Sequence, residues 1–527
     1  MTRRHAISMA ASAAIPVNAA IPVNIEPAMI RRNDEGVEHF LKVQNMDPAS
    51  PRFGGVPDAT ELWGPGGASG LTATLAAAFV HQSSKFHKNP DLVRRIQAAA
   101  KYLESIQSTD GNIDLLSTNF NSPPDTGFVV HNVGAAASVA RKNGAPEIEK
   151  ALEPFLKKAG AGMAKGGIHT PNHRWVVSAA LAQINELWPN PAYTRRIDQW
   201  LAEGIDIDED GQYYERSTTI YNTVCDHAFT VLALKLKRPR LLDPVRKNLN
   251  AMLYLIHADG EVVTEISRRQ DLNERGTMDR YWFPLRALAV LDKNGQFATL
   301  ARRAEPKSGS LAYMLDMPEI AGTMPADAPL PDNFRREFKA IRLVRYRRGQ
   351  TSASVLLDGT SRFFTVRHGD AIIEAVRFST SFFGKGQFVP TKDLKQHLEA
   401  GYYQPINEKV TDWPSARPKR KVTELNKLDQ SAEVEEIRGG FRLTIKSEGT
   451  PNIPLTIELG LREGSTVESL SPTVSVITRG KNKIKVTHPK NEHKYHQVRG
   501  AEPPFPGPKL YITGYTPFHS TIEIHLE

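Results

Sequence analysis

Apolar residues in this chain of 527 residues recur three and four apart through its first part, then alternate one for one after about Phe334. Helical spacing cannot bury a strand, and alternation cannot bury a helix, so the change forces at least two differently built parts. Helical spacing runs through 70–79, 93–106, 129–141, 148–159, 174–187, 193–201, 225–234, 241–256 and 281–292. Alternation runs through 341–346, 352–357, 363–367, 371–378, 435–447, 454–462, 473–477, 483–487, 509–513 and 520–526.

The turns in the helical part also repeat. Asp110-Gly111, Gly166-Gly167, Asp210-Gly211 and Asp259-Gly260 stand about fifty residues apart, the length of a helical pair with its connections. The expectation is a multidomain α+β chain: an N-terminal incomplete (α/α) toroid of helical hairpins, then a C-terminal antiparallel β-sandwich. Its divisions are an export signal over 1–25, an extension over 26–61, the toroid over 62–304, a linker over 305–333 and the sandwich over 334–527. Residues 392–427, rich in Pro, Lys and Asp, read as a long surface excursion or a lid.

A net charge of +9, from 67 Lys and Arg against 58 Asp and Glu, suits a polyanionic partner. Nucleic acid is not the expected one, because no basic helix or aromatic-interleaved basic strand stands out, and Pro418-Lys419-Arg420-Lys421 is too short to serve. After the N-terminus no apolar run reaches membrane-spanning length, so stable insertion in a membrane is not expected. Arg3-Arg4 before an alanine-rich stretch reads as an export signal and a periplasmic or secreted location. Cys225, the one cysteine, excludes an intramolecular disulfide and reads as a buried thiol. No cofactor is predicted, and the pattern leaves the oligomeric state open.

Polar and aromatic residues gather after the glycine turns, over 119–131, 169–175, 213–222 and 265–282. Two of these pieces combine: Asn172-His173 heads one apolar helix, and the run from Asp210-Gly211 through Glu215 and Ser217 ends at Tyr221, which heads another. In that combination and domain order, the chain resembles the heparinase II/III-like and toroid-type alginate lyases, which cut uronic-acid-containing polysaccharides. The resemblance implies an acidic polysaccharide or oligosaccharide substrate and β-elimination. It places carboxylate neutralisation on Asn172 and His173, proton transfer on Tyr221, and a closing histidine from the sandwich on His368. Sugar subsites would draw on His131, Asn132, Trp175, Tyr214, Arg268, Arg269, Arg280 and Tyr281, with Glu215 orienting Tyr221 or an arginine. It also leaves room for a structural divalent metal in the sandwich. Asn222 stands where many relatives carry a histidine after the tyrosine, and His227 follows six residues after Tyr221.

The residue types suit the chemistry. The C5 proton of a uronate is hard to remove because the neighbouring carboxylate already carries charge, so donors to that carboxylate count most as the second charge develops. An amide and an imidazole are such donors, and a phenol can give a proton to the leaving oxygen or take one. Two other readings stay open. A toroid-type glycoside hydrolase would use paired carboxylates, with Asp125, Asp210 and Glu265 available. A non-catalytic glycan-binding protein would use Tyr213, Tyr214, Trp175 and Trp282 as its platform.

Overall fold

The computed structural model describes residues 25–307 and 309–527. The expected export signal, with Arg3 and Arg4, therefore lies outside the described residues except at its last position. Contacts divide the chain into two compact units. The first holds the described residues up to Ile205 with Thr223–Arg246 and Asp279–Pro329, and the second holds Asp206–Asn222, Lys247–Met278 and Leu330–Glu527.

Proline punctuates the first unit. It occupies the opening position of the helices Pro27–Val43, Pro65–Val80, Pro90–Ser105, Pro123–Lys142, Pro146–Lys165, Pro171–Leu187 and Pro191–Ala202. There its missing N–H costs no intrahelical bond and its fixed φ already suits the helix. Helices Pro65–Val80, Pro123–Lys142 and Pro171–Leu187 are buried on nearly every side. The alternate helices Pro90–Ser105, Pro146–Lys165 and Pro191–Ala202 bury one stripe only. Pro65–Val80 and Pro123–Lys142 each pack on the amphipathic helix that follows and on the next all-round apolar one, and Pro171–Leu187 packs on Pro191–Ala202, giving successive hairpins with an inner and an outer layer.

Two helices of seven residues or more fall in the presumed extension and linker, where none was expected. Pro27–Val43 lies in the presumed extension; its buried face includes Asn33 and Asp34, which hide the apolar spacing. Ser310–Asp316 lies in the presumed linker, and its last residue explains why it is ordered. Asp316 is buried and accepts from Lys235 Nζ at 2.6 Å and Lys142 Nζ at 2.9 Å, with the Ser138 hydroxyl also donating to it. Burial disfavours the Lys235 ammonium, but Asp316 and Glu186 outweigh it and raise its pKa.

In the second unit two antiparallel sheets face each other across one core. One runs in the order Thr466–Ser471, Val474–Arg479, Asn482–Thr487, Phe518–Leu526, Gly440–Gly449, Val422–Ile437, Lys395–Tyr403. The other runs Lys509–Tyr515, Pro454–Leu461, Ala371–Thr380, Phe364–His368, Thr351–Leu356, Leu343–Arg348, Asn333–Phe338, with Gly386–Gln387 beside Ala371–Thr380. Phe364, Val376, Phe378, Ile457 and Ile512 of one sheet share a cluster with Phe441, Leu443, Ile484, Ile522 and Ile524 of the other. That shared apolar layer makes the part a β-sandwich. Part of the presumed excursion over 392–427 is sheet: Lys395–Tyr403 pairs with Val422–Ile437 along an edge whose residues are largely exposed, so little apolar alternation marks it.

The loops 206–222 and 247–278 are held to the sandwich by polar contacts. Asp210 Oδ2 accepts the backbone N–H groups of Ala340 and Ile341 at 2.5 and 3.1 Å, and Arg345 donates to Tyr254 O at 3.4 Å. Glu261 receives both terminal nitrogens of Arg462 at 2.9 Å and Arg367 at 2.7 Å, while Arg462 Nε reaches Glu374 at 2.6 Å. Burial pushes the Glu261 carboxyl up, but the two arginines outweigh it and bring it down to about 2.

The Asp316 cluster yields a stability prediction. Asp316→Ala leaves the buried Lys235 ammonium with the partly exposed Glu186 as its remaining carboxylate partner, and chemical denaturation is expected to show a loss of about 3 kcal/mol, the low end for breaking a buried pair. A loss within 0.5 kcal/mol, the usual range for a surface change, would remove this cluster from the forces ordering the helix Ser310–Asp316.

Candidate functional site

Tyr221 ends a loop whose path starts from a turn that recurs along the chain. At residues 108–112, 208–212 and 257–261 the same pattern occurs: the first N–H bonds the carbonyl four residues on, and the fourth N–H returns to the first carbonyl. The fourth residue is Gly111, Gly211 or Gly260, each at positive φ. At Gly211 a Cβ would stand 2.6 Å from the carbonyl oxygen of Lys247, so no side chain fits there. The second turn aligns the bridge between Ile207 and Tyr213, after which the chain runs through Glu215 to the helix Tyr221–Lys235.

Helix start and loop are locked together by hydroxyls and one carboxylate. Ser217 Oγ accepts Tyr221 N–H at 3.0 Å, filling the role of a cap, and Gln212 Oε1 accepts Asn222 Nδ2 at 2.9 Å. Asp271, 2% exposed, accepts the backbone N–H and the hydroxyl of Thr219 at 3.1 and 2.8 Å through one oxygen; its other oxygen takes the Ser267 hydroxyl. Ser267 Oγ in turn accepts Arg269 N–H at 3.1 Å. These bonds bring the next two side chains onto Tyr221. The Arg269 guanidinium lies 4.5 Å from the centre of the Tyr221 ring and Nη2 is 3.4 Å from its hydroxyl, while Gln270 Nε2 donates to that hydroxyl at 2.9 Å. Glu215, buried, forms an ion pair with Arg269. Arg268 covers the exposed Tyr214 ring at 5.0 Å and donates to its carbonyl at 3.2 Å. Arg216 adopts φ of 50°, an uncommon conformation for a side-chain-bearing residue, and donates to Ala340 O at 2.9 Å. Burial, with Arg268 nearby, holds its guanidinium below the ordinary range.

Thus Tyr214, Glu215, Tyr221, Arg268 and Arg269 are brought together within the sandwich-bearing unit. His368 belongs to the same unit, at the end of Phe364–His368, where its Nδ1 meets the Thr351 hydroxyl at 2.8 Å and burial lowers its pKa. Gln270, Ser267 and Asp271 carry no sequence signal of their own; the polar cluster over 265–282 was the only pointer to them.

The other expected residues belong to the helical unit. Thr170 precedes the helix Pro171–Leu187, so Asn172 and His173 lie in its first turn, both buried. Asn172 Nδ2 donates to Thr170 Oγ1 at 3.2 Å, and the His173 ring meets the exposed His169 ring edge-on at 4.6 Å. Trp175, expected on the sugar-binding rim, is fully buried against Phe229, with the Arg174 guanidinium 4.4 Å from its ring centre. Tyr281 is likewise fully buried; both rings lie in the core and offer no face to a sugar. Arg280 is exposed.

His131 and Asn132 join a cluster inside the helices. Tyr313 donates to Asn132 Oδ1 at 2.9 Å, and the His131 ring meets the His227 ring edge-on at 5.3 Å. His131 Nδ1 and His227 Nε2 are enclosed without hydrogen-bond partners among the described residues. Burial lowers the His131 pKa to about 4; burial and then the nearby His131 lower that of His227 to about 3. Among the described residues no group of three His, Cys, Asp or Glu is gathered as a metal would require, and no helix is long and apolar enough to cross a membrane.

Two of the three carboxylates named for a hydrolase are structurally occupied, while Glu265 accepts the Thr365 hydroxyl at 3.5 Å through one oxygen and its other oxygen is enclosed without a partner among the described residues. Asp125 accepts Asn119 Nδ2 at 2.9 Å and the Ser122 hydroxyl at the start of Pro123–Lys142, and Asp210 is tied to the backbone as described.

No family model and no curated protein matches this sequence. Solved structures do share its fold. A heparan sulfate lyase mutant from Pedobacter heparinus is 11% identical with a TM-score of 0.52, over 96% of this chain and 84% of that one. A heparinase III is 10% identical with a TM-score of 0.51, over 97% and 87%. A chondroitinase AC lyase is 9% identical with a TM-score of 0.53, over 95% and 81%. The likeness is one of architecture: helical hairpins followed by an antiparallel β-sandwich.

The His131–His227 pair predicts acid sensitivity. Both folded-state pKa values lie below the ordinary 6.5, so the unfolded chain takes up protons first and the pair's contribution is intact above pH 6.5. That contribution falls as the pH drops from 6.5 towards about 4. Melting temperature should decline across that window, and less steeply in a His131→Gln, His227→Gln double variant; equal slopes would contradict the assignment.

Proposed function

We propose that the protein is a polysaccharide lyase that cleaves a uronic-acid-containing polymer by β-elimination. The observation that carries this reading is the convergence of Arg269 and Gln270 on the hydroxyl of Tyr221. Support also comes from the architecture it shares with proteins described as lyases of heparan sulfate and chondroitin. The net charge of +9 suits an acidic polymer.

Both contacts on the Tyr221 oxygen are donations, so its lone pairs are engaged and its own proton remains to be given. In this reading Tyr221 protonates the glycosidic oxygen on C4 as the bond to it breaks. Arg269 and Gln270 then support the charge left on the phenol oxygen, and Glu215 holds Arg269 in place. The C5 proton goes to His173 or to Tyr221 itself, deprotonated for that step. Asn172 and His173 neutralise the carboxylate as the enolate grows, where a well-placed donor is worth about 3 kcal/mol. Asn172 stands in a helix's first turn, where oriented N–H groups favour negative charge. The product carries a C4–C5 double bond conjugated to the carboxylate.

Two measurements test this. Alginate, heparan- and chondroitin-type glycans, ulvan, gellan and rhamnose–glucuronate polymers are incubated with the protein and followed in the ultraviolet for the unsaturated uronate. At least one should give it; new reducing ends without that absorbance would make the protein a hydrolase, and binding without either would make it a lectin-like module. On the polymer that is cleaved, Tyr221→Phe should abolish nearly all turnover and retain binding, whereas unchanged turnover would remove Tyr221 from the reaction.

A second variant tests how the site is held. Asp271→Asn keeps the shape but replaces one acceptor by a donor, loosening the loop that carries Arg269 and Gln270. Turnover is expected to fall about 10²-fold, the usual cost of displacing a reacting group by an ångström, with the far-ultraviolet circular dichroism unchanged. A kcat equal to that of the unmodified protein would show that the loop needs no such anchor.

A further inference from the structure

A cavity of about 540 Å³ opens in the helical unit among the helices Pro27–Val43, Trp282–Leu291 and Gly295–Arg303, lined by Met29, Arg32, Trp282, Arg286, Arg302 and Met324 among others. It shares no residue with the Tyr221 cluster. Its volume is in the range of small-molecule sites.

Its chemistry centres on Arg286, whose side chain is only 5% exposed. A guanidinium offers five N–H donors in a rigid plane. Here Gly322 O accepts from Nη2 at 3.2 Å, and Nε is enclosed without an acceptor among the described residues. The one carboxylate paired with it among the described residues, Glu26, is 3.9 Å away, beyond hydrogen-bond distance, and belongs to a side chain 61% exposed to solvent. Burial holds the guanidinium below its ordinary pKa range; Glu26 pulls it back up, and the neighbouring Arg302 adds to the depression. The other two arginines are already engaged: Arg32 donates to Pro306 O at 2.8 Å and pairs with Glu305 at 3.4 Å, and Arg302 pairs with Asp327. An enclosed cation so thinly paired is costly, because its lost hydration is not replaced. A planar oxyanion would replace it through the fork geometry that arginine shares with carboxylates. The remaining wall is apolar, with the Trp282 ring and two thioethers, which suits a ring more than a bare ion.

We propose that this cavity is a second ligand site that binds a ring-bearing monocarboxylate of sugar-acid type, with Arg286 taking the carboxylate and Trp282 the ring. Occupancy displaces Glu26, whose loose contact marks the position of the ligand's anion. The site stands or falls apart from the lyase reading, since it involves neither Tyr221 nor Arg269.

Isothermal titration of the full chain with sodium glucuronate, glucose, sulfate and phosphate tests it. Glucuronate should bind and glucose should not; sulfate and phosphate should compete weakly, because they share the charge and lack the ring. The glucuronate signal should survive in Arg269→Ala, weaken at least tenfold in Arg286→Gln, and tighten several-fold in Glu26→Gln, which removes the competing carboxylate from an exposed position without disturbing the fold. Absence of glucuronate binding overturns the proposal. So does binding that is lost in Arg269→Ala, which would place it at the Tyr221 cluster. Sulfate or phosphate binding tighter than glucuronate would overturn the sugar-acid assignment, and unchanged affinity in Glu26→Gln would overturn the location even if Arg286→Gln fails to fold.

Discussion

One buried carboxylate organises the candidate site. Asp271 takes the backbone and hydroxyl of Thr219 on one oxygen and the Ser267 hydroxyl on the other, so two loops about fifty residues apart in sequence share a single acceptor. A hydrogen bond to a charged group contributes roughly 1.5–3 kcal/mol, and three of them on one residue outweigh the entropy of holding a short polar loop. Everything that touches the Tyr221 hydroxyl hangs from that loop. Without the anchor, Arg269 and Gln270 would be two flexible surface side chains among many.

What holds an element in place decides whether its sequence reveals it. Helices with apolar residues on every side, such as Pro123–Lys142 and Pro171–Leu187, were legible because burial leaves a dense apolar record. So were the central strands, Ala371–Thr380 and Pro454–Leu461 among them, and the Asp-Gly turns, because only glycine tolerates the backbone there. Pro27–Val43 and Ser310–Asp316 were not legible, since each is held partly by buried polar residues. A pattern of hydrophobicity cannot register an element ordered by an ion pair.

At the site the legible part was the arginines and the tyrosine, whose residue types advertise chemistry. Gln270 and Asp271 were silent, because a glutamine or an aspartate in a polar loop is ordinary until its partners are known. Trp175 and Tyr281 illustrate the opposite error. An aromatic next to a polar motif suggests sugar stacking, yet both are buried completely, and Trp175 fills the space between two apolar helices by packing on Phe229. Proximity in sequence to a functional motif says which helix face a residue shares only after the helix start is known. Pro171 at the first position sets that start and turns Trp175 inward.

Charge is handled differently in different parts of the molecule, and the contrast separates arginines saturated with acceptors from those short of them. Arg462 has each of its nitrogens on a carboxylate, Glu261 or Glu374, and Arg377 is shared between Glu458 and Glu502. Such saturated guanidiniums cement loops and strands and have nothing left to give a ligand. Arg269 spends one nitrogen on Glu215 and keeps a second near a phenol, and Arg286 has, among the described residues, a single carbonyl at hydrogen-bond distance. Since the buried hydrogen-bonding groups of a folded chain are normally satisfied, an arginine left short of acceptors is where an anion gains most by arriving.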